Sequence, residues 1–271
     1  MNKNMFTRKT MDIDGELISY IEENNDKPKI LFLHGFASSS EAAQQVYNLT
    51  NRSYGIIALD FPGCGHSSAK KDINIEYYQF IAKRFVEELN LKDFIVIGHS
   101  LGGASALHLL NEKLAKKAIL TAPINYDMLH STNQKVKLKW LLPENLQQAY
   151  ESMDSLVFVD RLNYKQNLDK TAQRFFNFMS IRKPVFLDMV VNQILNPDYL
   201  KNSIKNLYLA NNDYEFIIGE KDLFVTYNSI LSVALENHKK INSIPDCGHA
   251  LFFEKPEEVN QIIEDIIKQV N

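Results

Sequence analysis

Gly98-His99-Ser100-Leu101-Gly102 places a serine between two glycines at the spacing G-x-S-x-G, the pattern of a nucleophile elbow. The chemistry explains the spacing. A serine hydroxyl attacks a carbonyl only when it stands clear of its surroundings and a base takes its proton. A sharp strand-to-helix turn with a strained backbone lifts Oγ of Ser100 free, and side chains at 98 and 102 would crowd that turn. The helix that follows aims its first N–H groups at the place where negative charge develops. The pattern therefore points to acyl transfer through Ser100.

Such a turn needs a strand before it and a helix after it, and the sequence supplies both. Phe94–Ile97 is a short continuous apolar run of buried-strand type, and a helical stretch runs from Leu101 to about Leu114. The same rhythm extends along the chain. Residues 6–13 and 16–22 alternate around Asp14-Gly15 and predict a hairpin. Lys29–Leu33, Tyr54–Leu59, Ala118–Leu120, Glu215–Ile218 and, more weakly, Lys240–Ile244 read as further strands. Helical patterns over 76–90, 227–237 and 256–270 separate or follow them. Strands alternating with helices predict an α/β fold, a mostly parallel central sheet with helices on both faces. Between Pro123 and about Tyr199 the strand-like runs nearly vanish, and segments rich in Leu, Phe and Met replace them (136–142, 144–152, 169–179, 184–195). A helical lid inserted over residues 123–199 is expected, with 1–122 and 200–271 forming the core.

Five motifs stand in order along the chain: Leu33-His34-Gly35-Phe36, Asp60-Phe-Pro-Gly63-Cys-Gly65-His-Ser67, Gly98-His-Ser100-Leu-Gly-Gly103, Gly219-Glu-Lys-Asp222 and Gly248-His249. With them the chain resembles the α/β-hydrolase family, in its lid-bearing esterase and lipase-like branch. The resemblance implies Asp222 as the acid, in the loop after Glu215–Ile218, and His249 as the base, in the loop before the last helix. Ser100, Asp222, His249 is the order this fold requires. Asp127, after Ala118–Leu120, is the alternative acid. The oxyanion hole is expected at two backbone N–H groups, that of Leu101 and, by resemblance, that of Phe36. Phe36, His99, Trp140 and Phe178 are assigned to substrate binding, although the His99 side chain is expected to point away from that of Ser100. Of 10 glycines, the eight at 35, 63, 65, 98, 102, 103, 219 and 248 fall in the five motifs, which concentrates unusual backbone at one presumptive site.

The implied reaction is hydrolysis of a small or lipid-like apolar carboxylic ester through an acyl-enzyme, with no metal and no cofactor. Carbon–carbon bond hydrolases, thioesterases and acyltransferases use the same three residues, and some relatives only bind a ligand. Aromatic and Met residues of the insertion supply lid core and, in part, an apolar acyl pocket. The 271 residues carry a net charge of −3 with 23 % charged residues, which argues against a nucleic-acid partner or a polybasic membrane surface. No apolar run reaches the ~20 residues of a membrane span, and the N-terminus lacks a signal-peptide core, so stable membrane insertion is not expected and a cytoplasmic location is. Cys64 and Cys247, the two cysteines, match no disulfide framework or zinc spacing. Both lie in motif loops, as small partly buried residues or as a reactive thiol.

Overall fold

A computed structural model describes residues 5–130, 133–159, 164–210 and 212–270. Eight strands form one sheet: β1 (Phe6–Ile13), β2 (Glu16–Glu23), β3 (Lys29–Leu33), β4 (Gly55–Leu59), β5 (Ile95–His99), β6 (Lys117–Thr121), β7 (Tyr214–Gly219) and β8 (Ile241–Ile244). Their spatial order is β1-β2-β4-β3-β5-β6-β7-β8. β1, β2 and β4 pair antiparallel, and every pair from β4 onward is parallel. The predicted hairpin forms because Asp14 and Gly15 take positive φ (54° and 81°), the backbone of a two-residue turn that follows strand twist.

The helices are α1 (Gln44–Tyr47), α2 (Ile75–Glu88), α3 (Gly102–Asn111), α4 (Gln134–Leu141), α5 (Leu146–Ser155), α6 (Leu168–Met189), α7 (Pro197–Tyr199), α8 (Lys205–Leu209), α9 (Tyr227–Glu236), α10 (Leu251–Glu254) and α11 (Pro256–Val270). Period-2 alternation divides the strand side chains between two cores. Leu31, Leu33, Val96 and Leu120 face α2, α3 and the inserted helices, while Ile30, Phe32, Ile95 and Ile97 face α1, α10 and α11. On α11, Val259, Ile263 and Ile266 recur at helical spacing and are buried against that second face. Asn74 starts α2 by accepting the N–H of Tyr77 at 2.7 Å.

The helical insertion lies between β6 and β7. Its elements differ from the expected ones at α6, which continues unbroken through Pro184 where two separate helices were predicted. Leu168, Ala172, Met179, Phe186 and Met189 form one buried stripe along it, and packing of that stripe outweighs the local cost of the proline. Two π-helical turns (Val190–Ile194 and Leu200–Ile204) follow, and α8 packs on α3 before β7 begins. Among the described residues, no helix is long and apolar enough to cross a membrane.

Candidate active site

β5 runs directly into the elbow. Ser100 sits at φ 51°, left-handed backbone that a residue with a Cβ adopts at a cost of roughly 1–3 kcal/mol. Neighbouring backbone holds it there: its N–H donates to Thr121 O (2.9 Å) at the end of β6, and its carbonyl accepts from Gly103 N and Ile124 N, both at 3.0 Å. The flanking glycines are required by contact. A Cβ on Gly98 would lie 2.7 Å from Ala106 Cβ, and one on Gly102 would lie 2.3 Å from the Leu33 carbonyl oxygen.

Two loops at the same end of the sheet bring up Asp222 and His249. Gly219 closes β7, and the buried Asp222 side chain then folds back on its own loop. Its Oδ1 accepts Phe224 N (2.7 Å) and Val225 N (2.9 Å), leaving Oδ2 for His249 Nδ1 at 2.7 Å. The His249 loop is fixed in turn by Glu254, whose Oε1 accepts Gly248 N at 2.8 Å. The His249 ring lies between Phe224 (centroids 5.3 Å apart) and His99 (5.0 Å). Burial, and then the nearby His249 ring, holds His99 well below the usual imidazole range, so His99 is a neutral neighbour.

Ser100 and His249 line one cavity of about 310 Å³, with Phe36, His99, Trp140 and Phe224 among its walls. A smaller cavity of about 30 Å³ shares Phe36, Ser100, Leu141 and Phe224 with it and is lined also by Leu101, Ile124, Met128 and Lys137. Phe36 borders both and packs edge-on against Phe186 at 5.2 Å. His34 steadies that loop by accepting Phe61 N on its Nε2 at 2.9 Å. Among the described residues, neither Phe36 N–H nor Leu101 N–H is taken up by a protein acceptor.

Most of the residues selected from sequence meet here, and some do not. His99 was expected to point away from Ser100, yet its ring borders the same cavity, because it contacts the His249 ring while its Nδ1 lies 3.1 Å from Thr121 O. Phe178 does not line the cavity. It packs on Phe186 at 6.2 Å, and Phe175, one turn earlier on α6, lines the cavity instead. Asp127 donates its N–H to Asn125 Oδ1, and the carboxylate at His249 is that of Asp222. Both cysteines are buried, and burial pushes the Cys64 thiol up to about 12 and Cys247 upward too, the behaviour of small core residues. Sequence reasoning missed Phe224, Met153, Leu156, Phe252 and Phe253 on the cavity wall. The signal available was adjacency, since Phe224 follows Asp222 by two residues and Phe252 and Phe253 follow His249 by three and four. Among the described residues, no group of three or more His, Cys, Asp or Glu side chains is arranged to hold a metal ion.

Comparison with known proteins agrees with this architecture. The sequence model of the family described as alpha/beta hydrolase fold matches residues 28–256. A Mycoplasma genitalium protein named "Putative esterase/lipase 1" is 25 % identical over 259 residues, 91 % of this chain and 94 % of its own. The "Uncharacterized hydrolase YugF" of Bacillus subtilis is 26 % identical over 275 residues, covering 94 % and 96 %. The crystal structure of a "putative lipase" from Acinetobacter baumannii AYE superposes with a TM-score of 0.83 at 20 % identity, covering 98 % of this chain and 92 % of that one, a likeness of fold. With its family match, its eight-stranded sheet and its helical insertion, the chain belongs to the α/β-hydrolase fold family and is a hydrolase.

Proposed function

We propose that the chain is a serine hydrolase that cleaves carboxylic esters of small apolar substrates through an acyl-enzyme on Ser100. The observation that carries this reading is the 2.7 Å contact of His249 Nδ1 with Asp222 Oδ2 beside a serine held at φ 51° on the same cavity. An ionised carboxylate only accepts hydrogen bonds, so Asp222 keeps the proton on Nδ1 and leaves the lone pair of Nε2 to serve as base. His249 removes the Ser100 proton as Oγ attacks the ester carbonyl. The N–H groups of Leu101 and Phe36 receive the oxyanion of the tetrahedral intermediate. The C–O bond then breaks, and the alkoxide leaves with the proton from His249. Water attacks the acyl-enzyme by the same route and releases the acid.

In this reading residues 123–199 form a cap over a core made of 1–122 and 200–271, and the cap gives the cavity its apolar walls through Trp140, Met153, Leu156 and Phe175. The leaving alcohol must reach His249, which borders the larger cavity. The smaller cavity, bordered by Leu101 but not by His249, then takes the acyl group. Turnover of p-nitrophenyl acetate tests the reading. Wild type hydrolyses it, whereas Ser100→Ala falls to the background rate while keeping its fold by circular dichroism. Equal rates in the two proteins contradict the proposal.

A further inference from the structure

We infer that Lys137, on the first inserted helix, is a positioning residue for the acid–base pair, acting through the loop that carries Asp222. The inference rests on the serine-hydrolase reading above. Lys137 is 3 % exposed, and among the described residues no carboxylate pairs with it. Its Nζ donates instead to two backbone carbonyls, those of Met128 (3.1 Å) and Phe224. Phe224 is the residue that touches both members of the pair. Its N–H donates to Asp222 Oδ1, and its ring stacks on His249 at an interplanar angle of 30°. Trp140, one turn further along α4, packs its own ring on Phe224 at 5.0 Å. The inserted helix therefore holds Phe224 by its carbonyl and by its ring, and Phe224 holds the pair.

An ammonium is a costly way to fill this space, because burying a charge against carbonyls alone forfeits much of its hydration. A Met side chain has nearly the same length and no such cost. What the ammonium adds is a charge-assisted hydrogen bond that fixes the Phe224 peptide, stronger than any neutral donor would make. Burial lowers its pKa to about 8, and the carboxylate of Asp222 opposes that shift. Few other charges face it. Among the described residues of the elbow, the turn at Met128, the π-helical turn at Ile194 and the 222–225 loop, Asp222 is the one carboxylate whose field reaches Lys137, and His249 stands behind the Phe224 ring.

The test compares full-length wild type, Lys137→Met and Lys137→Arg on p-nitrophenyl acetate across pH 6 to 10. Lys137 also borders the smaller cavity, so the ester is the acetate, whose single methyl should leave KM of the Met variant changed by less than about threefold while kcat falls about tenfold or more, as for a reacting group displaced by a fraction of an ångström. Wild-type kcat should decline on an alkaline limb centred near 8, with the fold intact by circular dichroism, and the Met variant should lack that limb. Arg, charged throughout, should recover part of kcat and also lack the limb. A Met variant with wild-type kcat, or one that loses kcat while the alkaline limb persists, overturns the inference. If the Met variant does not fold, Lys137→Gln, a neutral donor, decides: a folded Gln variant with kcat down about tenfold supports the role, and one with wild-type kcat removes it. Failure of the underlying reading looks different, since wild type itself would then show no ester turnover and no label from a fluorophosphonate.

Discussion

At the residue scale the site depends on one orientation, the Nδ1 edge of His249 turned to Asp222. Asp222→Asn tests it in isolation. Oδ1 of the amide still accepts Phe224 N and Val225 N, so the loop keeps its shape, but the NH₂ group now faces Nδ1 and forces the imidazole proton onto Nε2. We expect kcat for p-nitrophenyl acetate to fall by about three to four orders of magnitude, with stability within about 1 kcal/mol of wild type. A drop of less than tenfold means that Asp222 does not orient His249. Residues of this kind were legible in the sequence because the chain beside each of them passes too close to its neighbours to admit a Cβ, and close approach, more than unusual φ, leaves glycines there. Gly98 and Gly102 flank Ser100, Gly219 precedes Asp222 and Gly248 precedes His249. Aromatic residues carry no such mark. Whether Phe175 or Phe178 borders the cavity depends on the rotation of α6, which is fixed by its buried stripe against the rest of the insertion. Phe224 lies in a loop without periodicity, so nothing but its nearness to Asp222 pointed to it.

At the scale of elements, the inserted helices are fastened to both loops of the pair. Lys137 reaches the Asp222 loop, and Glu254 reaches across from the other side. Its Oε2 accepts Phe158 N (2.8 Å) and Val159 N (2.7 Å) from the insertion, while Oε1 accepts Gly248 N next to His249. Ala250 N also donates to Leu156 O at 3.0 Å. Burial raises the pKa of Glu254, and those three N–H groups oppose the rise. Glu254→Ala leaves the buried Gly248 N–H and two half-buried N–H groups without their acceptor, at a cost on the order of 3 kcal/mol. The expected result is a lower urea midpoint together with reduced ester turnover at temperatures where the variant is still folded. Unchanged turnover in the folded variant would show that the insertion does not need this clamp to shape the site. The positions of the helices were largely readable, since α4 and α5 fall within a few residues of the predicted segments. The continuity of α6 through Pro184 was not, because a proline signals a break locally and only tertiary packing overrides it. The clamps were not readable either, as each joins residues far apart in sequence, Glu254 to Phe158 and Lys137 to Phe224.

Over the whole molecule, the alternation of apolar runs and helical patterns announced a mostly parallel sheet, and the observed strands lie within one or two residues of the predicted ones. Strand order, the antiparallel seam between β2 and β4, and above all the cavities are products of packing that no local pattern records. Those cavities make the substrate prediction. The space bordered by Leu101, about 30 Å³, holds about two water-sized groups, which suits an acetyl or propionyl chain. Across p-nitrophenyl esters, kcat/KM should be highest for acetate and propionate and should fall about tenfold or more by octanoate, since forcing extra methylenes into a packed wall costs roughly 1–3 kcal/mol. A rate that stays level or rises with chain length would put the acyl chain in the larger cavity. The central claim, that Ser100 is the nucleophile, is tested most directly by intact-protein mass spectrometry after treatment with a fluorophosphonate, followed by peptide mapping. The account predicts one adduct per chain, on Ser100, absent from Ser100→Ala and strongly slowed in His249→Ala. No adduct on folded wild type, or an adduct on another residue, would contradict it.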